Sequence, residues 1–255
     1  LLPAWSDSIT TLKVAIGKYV PGVSRAGLDW TWLLGRIAAS QLTSLRHLTL
    51  HENNTGKVRV SSIGHLPPPG TGGLCQLESF YCSMMFRYPI ESLQDQILSP
   101  HHWPRLSAFG FIDNGININE QSSKTRLMAR NHQTLLTTRH FTPLAKLRLS
   151  CYFEHLAAPS LMRHFVANYS SLTHLHLTIY CPVHWLLIDS GLEALTRLTY
   201  LKVNHHIRYI TGLPNPWYRE VGPGWSPPRY ESLRTLHLTK LPSDVFYWAV
   251  DVLPK

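Results

Sequence analysis

The sequence has few charged residues, few cysteines and no long apolar run. Charged residues make up 15% of the chain and hydrophobic residues 44%, a balance typical of a folded rather than a disordered protein. The 4 cysteines show neither CxxC spacing nor the density of a secreted disulfide scaffold, which favours a reducing intracellular location, cytoplasmic or nuclear. No stretch reaches the roughly eighteen apolar residues needed to span a bilayer, so we expect no membrane partner.

Catalytic signatures are absent as well. The sequence contains no GxxxxGK[ST] phosphate loop, no GxGxxG, no HExxH and no GxSxG, which are the local patterns of common nucleotide-dependent and hydrolytic enzymes. The 15 histidines include the close pair His174 and His176, but no third ligand stands at a spacing that completes a metal site. We therefore expect a protein that is not an enzyme, with no catalytic residue, no metal and no cofactor, whose histidines are solvated or contact a partner.

What the sequence does contain is a repeated apolar pattern. Leu42, Leu45, Leu48 and Leu50 are spaced by three, three and two residues. The third apolar position of each of the seven copies is, in order, Leu48, Phe80, Phe109, Leu147, Leu175, Leu201 and Leu236. A weaker copy precedes them at residues 9–14. A pattern that recurs in this way along the chain is typical of repeat architectures.

Each copy predicts one strand and one returning segment. The two apolar residues at its end are two apart, so they share one face of a strand while their neighbours point to the other face. Helical periodicity occupies several intervals between copies, at residues 90–98, 161–169, 185–195 and 245–252. Right-handed crossovers then place the strands in parallel. The predicted fold class is α/β: a leucine-rich-repeat solenoid with about seven or eight irregular repeats, strands on the concave side and helices on the convex side.

The repeats predict a single continuous domain with three loop insertions. Residues 1–41 are interpreted as the weak first repeat or an N-terminal cap, and residues 42–255 as the solenoid. The insertions are residues 55–73, 113–124 and 211–229. Loops of this length inside a compact fold are often functional.

The pattern resembles the leucine-rich repeats of intracellular, helix-containing type, and the irregular spacing of its copies is most similar to the substrate-recognition half of fungal F-box proteins. That resemblance, which covers residues 42–253, implies that the repeats hold a substrate while an F-box docks on the adaptor subunit of a cullin ubiquitin ligase. Residues 1–41 contain no F-box beyond the opening dipeptide Leu2-Pro3. Either the F-box lies upstream of Leu1, the chain then being a fragment, or the protein has none.

The solenoid prediction also maps the residues that project from the concave face. None of the positions flanking the inward apolar residues of the seven copies is Asp or Glu, and the chain as a whole carries a net charge of +9 at pH 7. The predicted partner-binding residues on this face are Lys146, Arg148, His174, His176, Tyr200, Lys202, His237, His47 and Tyr81. We expect the face to become more cationic as the pH falls toward about 6.5, the ordinary pKa of histidine.

Two interpretations of this face remain open. The first is a protein partner with an acidic surface, and the alternative is nucleic acid or another acidic ligand bound by a scaffold with no role in ubiquitin transfer. Trp217 and Trp225, in the third insertion, are candidate anchors for the same partner because tryptophan is favoured at interfaces. The other interpretation of these two rings is that they pack against the flank of the solenoid.

Overall fold

The computed structural model describes the segments of the chain around each repeat. These are residues 8–16, 35–37, 40, 42–52, 74–84, 103–113, 144–151, 159–179, 191–205 and 229–239. They belong to two compact units, Leu1–Leu144 and Ala145–Lys255. The first unit contains β1 (Thr11–Ile16), β2 (His47–Glu52), β3 (Ser79–Met84) and β4 (Ala108–Asp113). The second contains β5 (Lys146–Cys151), α1 (Pro159–Asn168), β6 (His174–Ile179), a 3-10 helix (Leu192–Ala194), β7 (Tyr200–His205) and β8 (Thr235–Thr239).

Within each unit the strands pair in parallel and in sequence order, as the repeat pattern predicts. In the first unit β1 pairs with β2, β2 with β3 and β3 with β4. In the second, β5 pairs with β6, β6 with β7 and β7 with β8. The register places equivalent repeat positions side by side: Leu48 lies opposite Leu12 and Phe80, and Leu201 lies opposite Leu175 and Leu236.

A tight turn explains the spacing of three between the first two apolar positions of a repeat. The amide of the second donates to the carbonyl of the first, as in Leu45 N to Leu42 O at 3.1 Å and Leu198 N to Leu195 O at 2.9 Å. The same bond recurs at Leu77, Leu106, Leu172 and Leu233. A three-residue closure brings both side chains to one side of the chain, so both enter the core just before the strand begins.

The repeated apolar positions form the core. Leu45, Leu48, Leu50, Leu175 and Leu201 have no solvent exposure. The buried set also includes the aromatic and cysteine substitutes for leucine, which are Phe80, Cys82, Trp103, Phe109, Phe111, Tyr169 and Tyr230. Burying one such side chain contributes about 1.5–3 kcal/mol, so apolar burial at every repeat is the largest favourable contribution to folding.

A single backbone carbonyl joins successive repeats at the start of each strand. The carbonyl of the residue before a strand accepts two successive amides of the next repeat, as Thr173 O does from Thr199 N and Tyr200 N at 2.9 and 3.0 Å. Where the following repeat has Ser or Thr at this place, its hydroxyl donates to the same carbonyl: Thr199 Oγ1 reaches Thr173 O at 3.1 Å and Ser107 Oγ reaches Glu78 O at 3.2 Å. These bonds hold the register at one end of each pair of strands.

Helix α1 returns the chain between β5 and β6 and overlaps the helical periodicity predicted at residues 161–169. It begins at Pro159, whose missing amide costs nothing in the first turn. Met162, Phe165 and the following Tyr169 are buried along one side, and the rings of Phe165 and Tyr169 lie 5.0 Å apart. No helix in the described part of the chain is long and apolar enough to cross a membrane.

The end of the helix predicted at residues 185–195 differs from the expectation, and residues 185–190 lie outside the described residues. The described part contains a 3-10 helix of three residues, Leu192–Ala194. Gly191 precedes it with φ of 77°, a left-handed conformation that side-chain-bearing residues rarely adopt and that is not α-helical. The predicted helices at residues 90–98 and 245–252 lie outside the described residues, as does insertion 55–73.

We predict that two leucines at the same repeat position contribute differently to stability. Leu201 is fully buried, whereas Leu236 on the neighbouring strand is partly exposed. Leu201→Ala should lower the free energy of unfolding by about 2–5 kcal/mol, and Leu236→Ala by less, because less apolar surface is lost from the core. Urea denaturation followed by circular dichroism measures both, and equal losses would contradict the burial described for these strands.

Candidate interaction surface

The strands of the second unit present alternate side chains away from the buried leucines. On β6 the burial alternates residue by residue, with the even positions 174, 176 and 178 less buried than their neighbours. We call the corresponding side chains of β5–β8 the polar face: Lys146, Arg148, His174, His176, Thr178, Tyr200, Lys202, Asn204, Thr235, His237 and Thr239. Adjacent members of a row stand about 4.8 Å apart, the spacing of paired strands.

The register orders this face into rows that cross the strands. The first row runs Lys146, His174, Tyr200, Thr235, and the central row runs Arg148, His176, Lys202, His237. The third continues through Thr178, Asn204 and Thr239. None of these positions holds an acidic residue. Six of the predicted partner-binding residues therefore lie on the three adjacent strands β5, β6 and β7: Lys146, Arg148, His174, His176, Tyr200 and Lys202.

Three aromatic rings form a continuous file across the face. The rings of His174 and Tyr200 are stacked, with centroids 5.5 Å apart and planes at 24°. The ring of His237 follows on the other side of Tyr200, with centroids 5.5 Å apart and planes at 45°. Since Tyr200 has a neighbouring ring on either side, its ring edge and hydroxyl are the parts that a ligand would meet.

Hydrogen bonds determine which nitrogen of His174 carries the proton. The hydroxyl of Thr173 donates its single proton to Ala145 O at 3.0 Å and also lies 2.9 Å from His174 Nδ1. With that proton directed to Ala145 O, the hydroxyl accepts from Nδ1–H, and in the neutral ring Nε2 is then an acceptor. Burial, and secondly the charge of Lys146, lowers the pKa of His174.

His176 is held by a second chain of hydrogen bonds, through the third row. Thr239 Oγ1 donates to Asn204 Oδ1 at 2.9 Å, and Asn204 Nδ2 lies 2.9 Å from His176 Nε2. Because an amide nitrogen only donates, Nε2 of His176 is the acceptor and Nδ1 carries the ring proton. His174 and His176 are thus both Nδ1–H tautomers.

The electrostatic environment corrects the expected behaviour of these histidines. Burial, then the charges of Arg148 and Lys202, lower the pKa of His176 to about 4. The expectation that the whole face gains charge as the pH falls toward 6.5 is therefore wrong for His176, because desolvation and adjacent cations oppose a further positive charge. The lowered pKa of His174 acts in the same direction. The lysine and arginine side chains of the face carry positive charge throughout this pH range.

The remaining predicted site residues lie elsewhere. His47 and Tyr81 belong to the first unit, where His47 Nδ1 lies 2.9 Å from Ser79 Oγ on the next strand. Arg46, just before β2, pairs with Glu78, just before β3, at 2.5 Å. Trp217 and Trp225 lie outside the described residues, as does all of insertion 211–229 except Arg229.

Three residues that support the site were not singled out from the sequence. Asn204 and Thr239 fall at flanking positions of the strand pattern, but nothing in the pattern shows that they bond to each other or to His176. Thr173 precedes β6 at the position where Ser or Thr donates to the preceding repeat. A hydroxyl residue just before the apolar strand pair is the one signal that the sequence offers for this role.

Two findings bear on what the surface can hold. Within the described segments no three or more His, Cys, Asp or Glu side chains are grouped so as to hold a metal ion. Comparison of the chain with protein-family models, curated proteins and solved structures finds no match. The chemistry of the polar face itself is therefore the basis for assigning a function.

We predict that the ring of His176 titrates at about pH 4. An NMR titration of the histidine ring signals measures this directly, and a midpoint near 6.5 would contradict it. Since the unfolded ring binds a proton at higher pH than the folded one, the contribution of His176 to stability falls as the pH drops from about 6.5 to about 4. Arg148→Gln should raise the midpoint, because it removes a cation that disfavours protonation.

Proposed function

We propose that this chain is a leucine-rich-repeat solenoid that binds an acidic protein partner through its polar face and carries out no chemistry of its own. The observation that supports this most strongly is the composition of the polar face. Lys146, Arg148 and Lys202 lie on β5 and β7 with no acidic residue at any face position to neutralise them.

The repeat geometry supports the solenoid part of the proposal. In each unit, a three-residue turn, a short parallel strand and a buried apolar pair recur at equivalent positions. Repeat proteins built this way use extended sheet surfaces for recognition. A ribbon of side chains in fixed rows suits an extended partner segment better than a small molecule, which is usually bound in a concave pocket.

The electrostatics supports an acidic partner in particular. Cations gathered on one face raise the local concentration of an anionic partner and speed its association. They also discriminate against basic surfaces, because like charges brought together at an interface cost several kcal/mol. Lys202 is partly buried among its neighbours, so its charge is screened less by solvent than that of a fully exposed lysine.

The role that we propose for such binding is substrate recognition in an F-box-type ubiquitin ligase. This part rests on the resemblance of the repeat pattern to fungal F-box proteins. In that arrangement an F-box encoded outside residues 1–255 contacts the adaptor subunit, and the polar face holds the substrate.

Charge reversal on the face tests the binding proposal. Lys146→Glu, Arg148→Glu and Lys202→Glu together should weaken binding of a fluorescently labelled oligoglutamate peptide by about tenfold or more, as lost and reversed ion pairs sum to more than about 1.4 kcal/mol. Fluorescence anisotropy at fixed ionic strength measures the affinity.

A matched control changes the same total charge away from the face. Arg105, Arg197 and Arg229 are exposed and lie outside the strands, so their combined replacement by Glu should have a much smaller effect. Equal weakening by both triple variants would show that only net charge matters and would count against a specific surface.

The ligase role has a separate test. The full-length protein from the complete reading frame should co-purify with the adaptor and cullin subunits, and deleting its F-box should abolish this. A complete reading frame without an F-box would refute the ligase role while leaving the binding proposal intact.

A second candidate function is single-stranded nucleic acid binding, and the file of rings beside three cations favours it. Proteins of that kind combine a cationic track with aromatic side chains on which bases stack. Both sides of the Tyr200 ring already have ring neighbours, which leaves edges rather than faces for a base. Affinity for oligothymidylate that exceeds affinity for oligoglutamate and falls steeply with salt would establish this alternative.

A further inference from the structure

The central row places three nitrogen side chains on successive strands. Arg148 lies directly opposite His176, and His176 directly opposite Lys202. Arg148 is exposed, and His176 and Lys202 are partly exposed, so a ligand lying across β5–β7 reaches all three. The register places Arg148 on one side of His176 and Lys202 on the other, and both charges lower the pKa of the His176 ring.

His176 differs from an ordinary histidine because a neighbour on the polar face occupies one of its two ring nitrogens. Asn204 occupies Nε2 as a donor, and Thr239 orients Asn204 by donating to its carbonyl oxygen. If the amide of Asn204 were reversed, its oxygen would face Nε2 and would require a proton there. The hydroxyl of Thr239 can bond to either end of that amide, so its role is to hold the Asn204 side chain beside His176. With Nδ2 facing Nε2, as here, the ring proton of His176 stays on Nδ1.

We propose that Arg148, His176 and Lys202 form a carboxylate-binding site for Asp or Glu side chains of the partner, in which neutral His176 donates through Nδ1–H and Asn204 and Thr239 are its positioning residues. This inference rests on the proposed function, since it assigns the binding of an acidic protein to one row of the polar face.

The donor set fits a carboxylate. The guanidinium, the ammonium and the Nδ1–H group supply only donors, and an ionised carboxylate has only acceptors. A guanidinium binds the two carboxylate oxygens side by side, whereas the ammonium group of Lys202 acts as a compact point charge. A protonated imidazole between two cations would be costly, so a neutral donor is the form of His176 that this row accommodates.

His174, in the first row, is not part of the proposed carboxylate site. His174 also carries its proton on Nδ1, but that proton points to Thr173, so in the neutral ring the other nitrogen is an acceptor. A carboxylate would meet a lone pair at Nε2 of His174 and a proton at Nδ1 of His176. The two histidines therefore differ in what they offer, and the carboxylate site is confined to the central row.

The test uses the full chain and compares variants of two threonines. Thr239→Val removes the hydroxyl that holds Asn204, and Thr196→Val makes the same chemical change at an exposed position in the turn before β7, outside the polar face. Two-bond proton–nitrogen NMR correlations report the tautomer of His176, and fluorescence anisotropy with the oligoglutamate peptide reports affinity. Thr239→Ser keeps the hydroxyl and is the conservative rescue.

The expected results link the two readouts. The unaltered chain should show His176 as the Nδ1–H tautomer, and Thr239→Val should mix the tautomers and weaken peptide binding in proportion. A ring with about a quarter of its population in the competent form binds about fourfold more weakly. Thr196→Val and Thr239→Ser should change neither the tautomer nor the affinity.

Three outcomes would overturn the inference. The first is a His176 proton on Nε2 in the unaltered chain, and the second is a tautomer shift in Thr239→Val with no change in affinity. After either of these two outcomes the proposed function still stands if the unaltered chain binds oligoglutamate and the charge-reversal variant binds it about tenfold or more weakly. The third is no oligoglutamate binding by the unaltered chain, which removes the proposed function and this inference together.

Discussion

Within each unit, the rest of the structure depends on one backbone carbonyl at each pair of neighbouring strands, that of the residue before the first strand of the pair. It accepts two amides from the next repeat, and this sets which residue stands opposite which along the whole strand. A slip of one residue would turn the buried leucines outward and the polar residues inward. The rows of the polar face, and any site that spans them, exist only because this bond recurs at the same place in each repeat.

The apolar spacing predicted the strands well because burial and the turn impose it directly. A three-residue turn and a two-residue alternation leave a pattern that is readable even where Phe, Cys or Trp replaces leucine, as at Phe80 and Trp103. The local structure just before β7 was not predicted correctly from the sequence. There the local conformation of Gly191 overrides helical periodicity, and a left-handed glycine leaves no periodic signal.

The chemistry of the site was only partly predictable. Spacing alone placed six of the predicted partner-binding residues on the adjacent strands β5, β6 and β7. The tautomers and the pKa of His176 could not, because they arise from burial, from Arg148 and Lys202 on the adjacent strands, and from a diagonal bond to Asn204. Histidines with their ordinary pKa would make the surface respond to pH, but in the folded chain His176 is instead a neutral hydrogen-bonding group, and the pKa of His174 is lowered as well.

The central claim is that β5–β8 stack in the register that brings Arg148, His176 and Lys202 into one row. Cross-strand nuclear Overhauser effects between backbone protons of the full chain test this most directly. We expect contacts that place His176 opposite Arg148 on one side and opposite Lys202 on the other. Contacts showing antiparallel pairing, or His176 shifted by one residue on either neighbour, would contradict it.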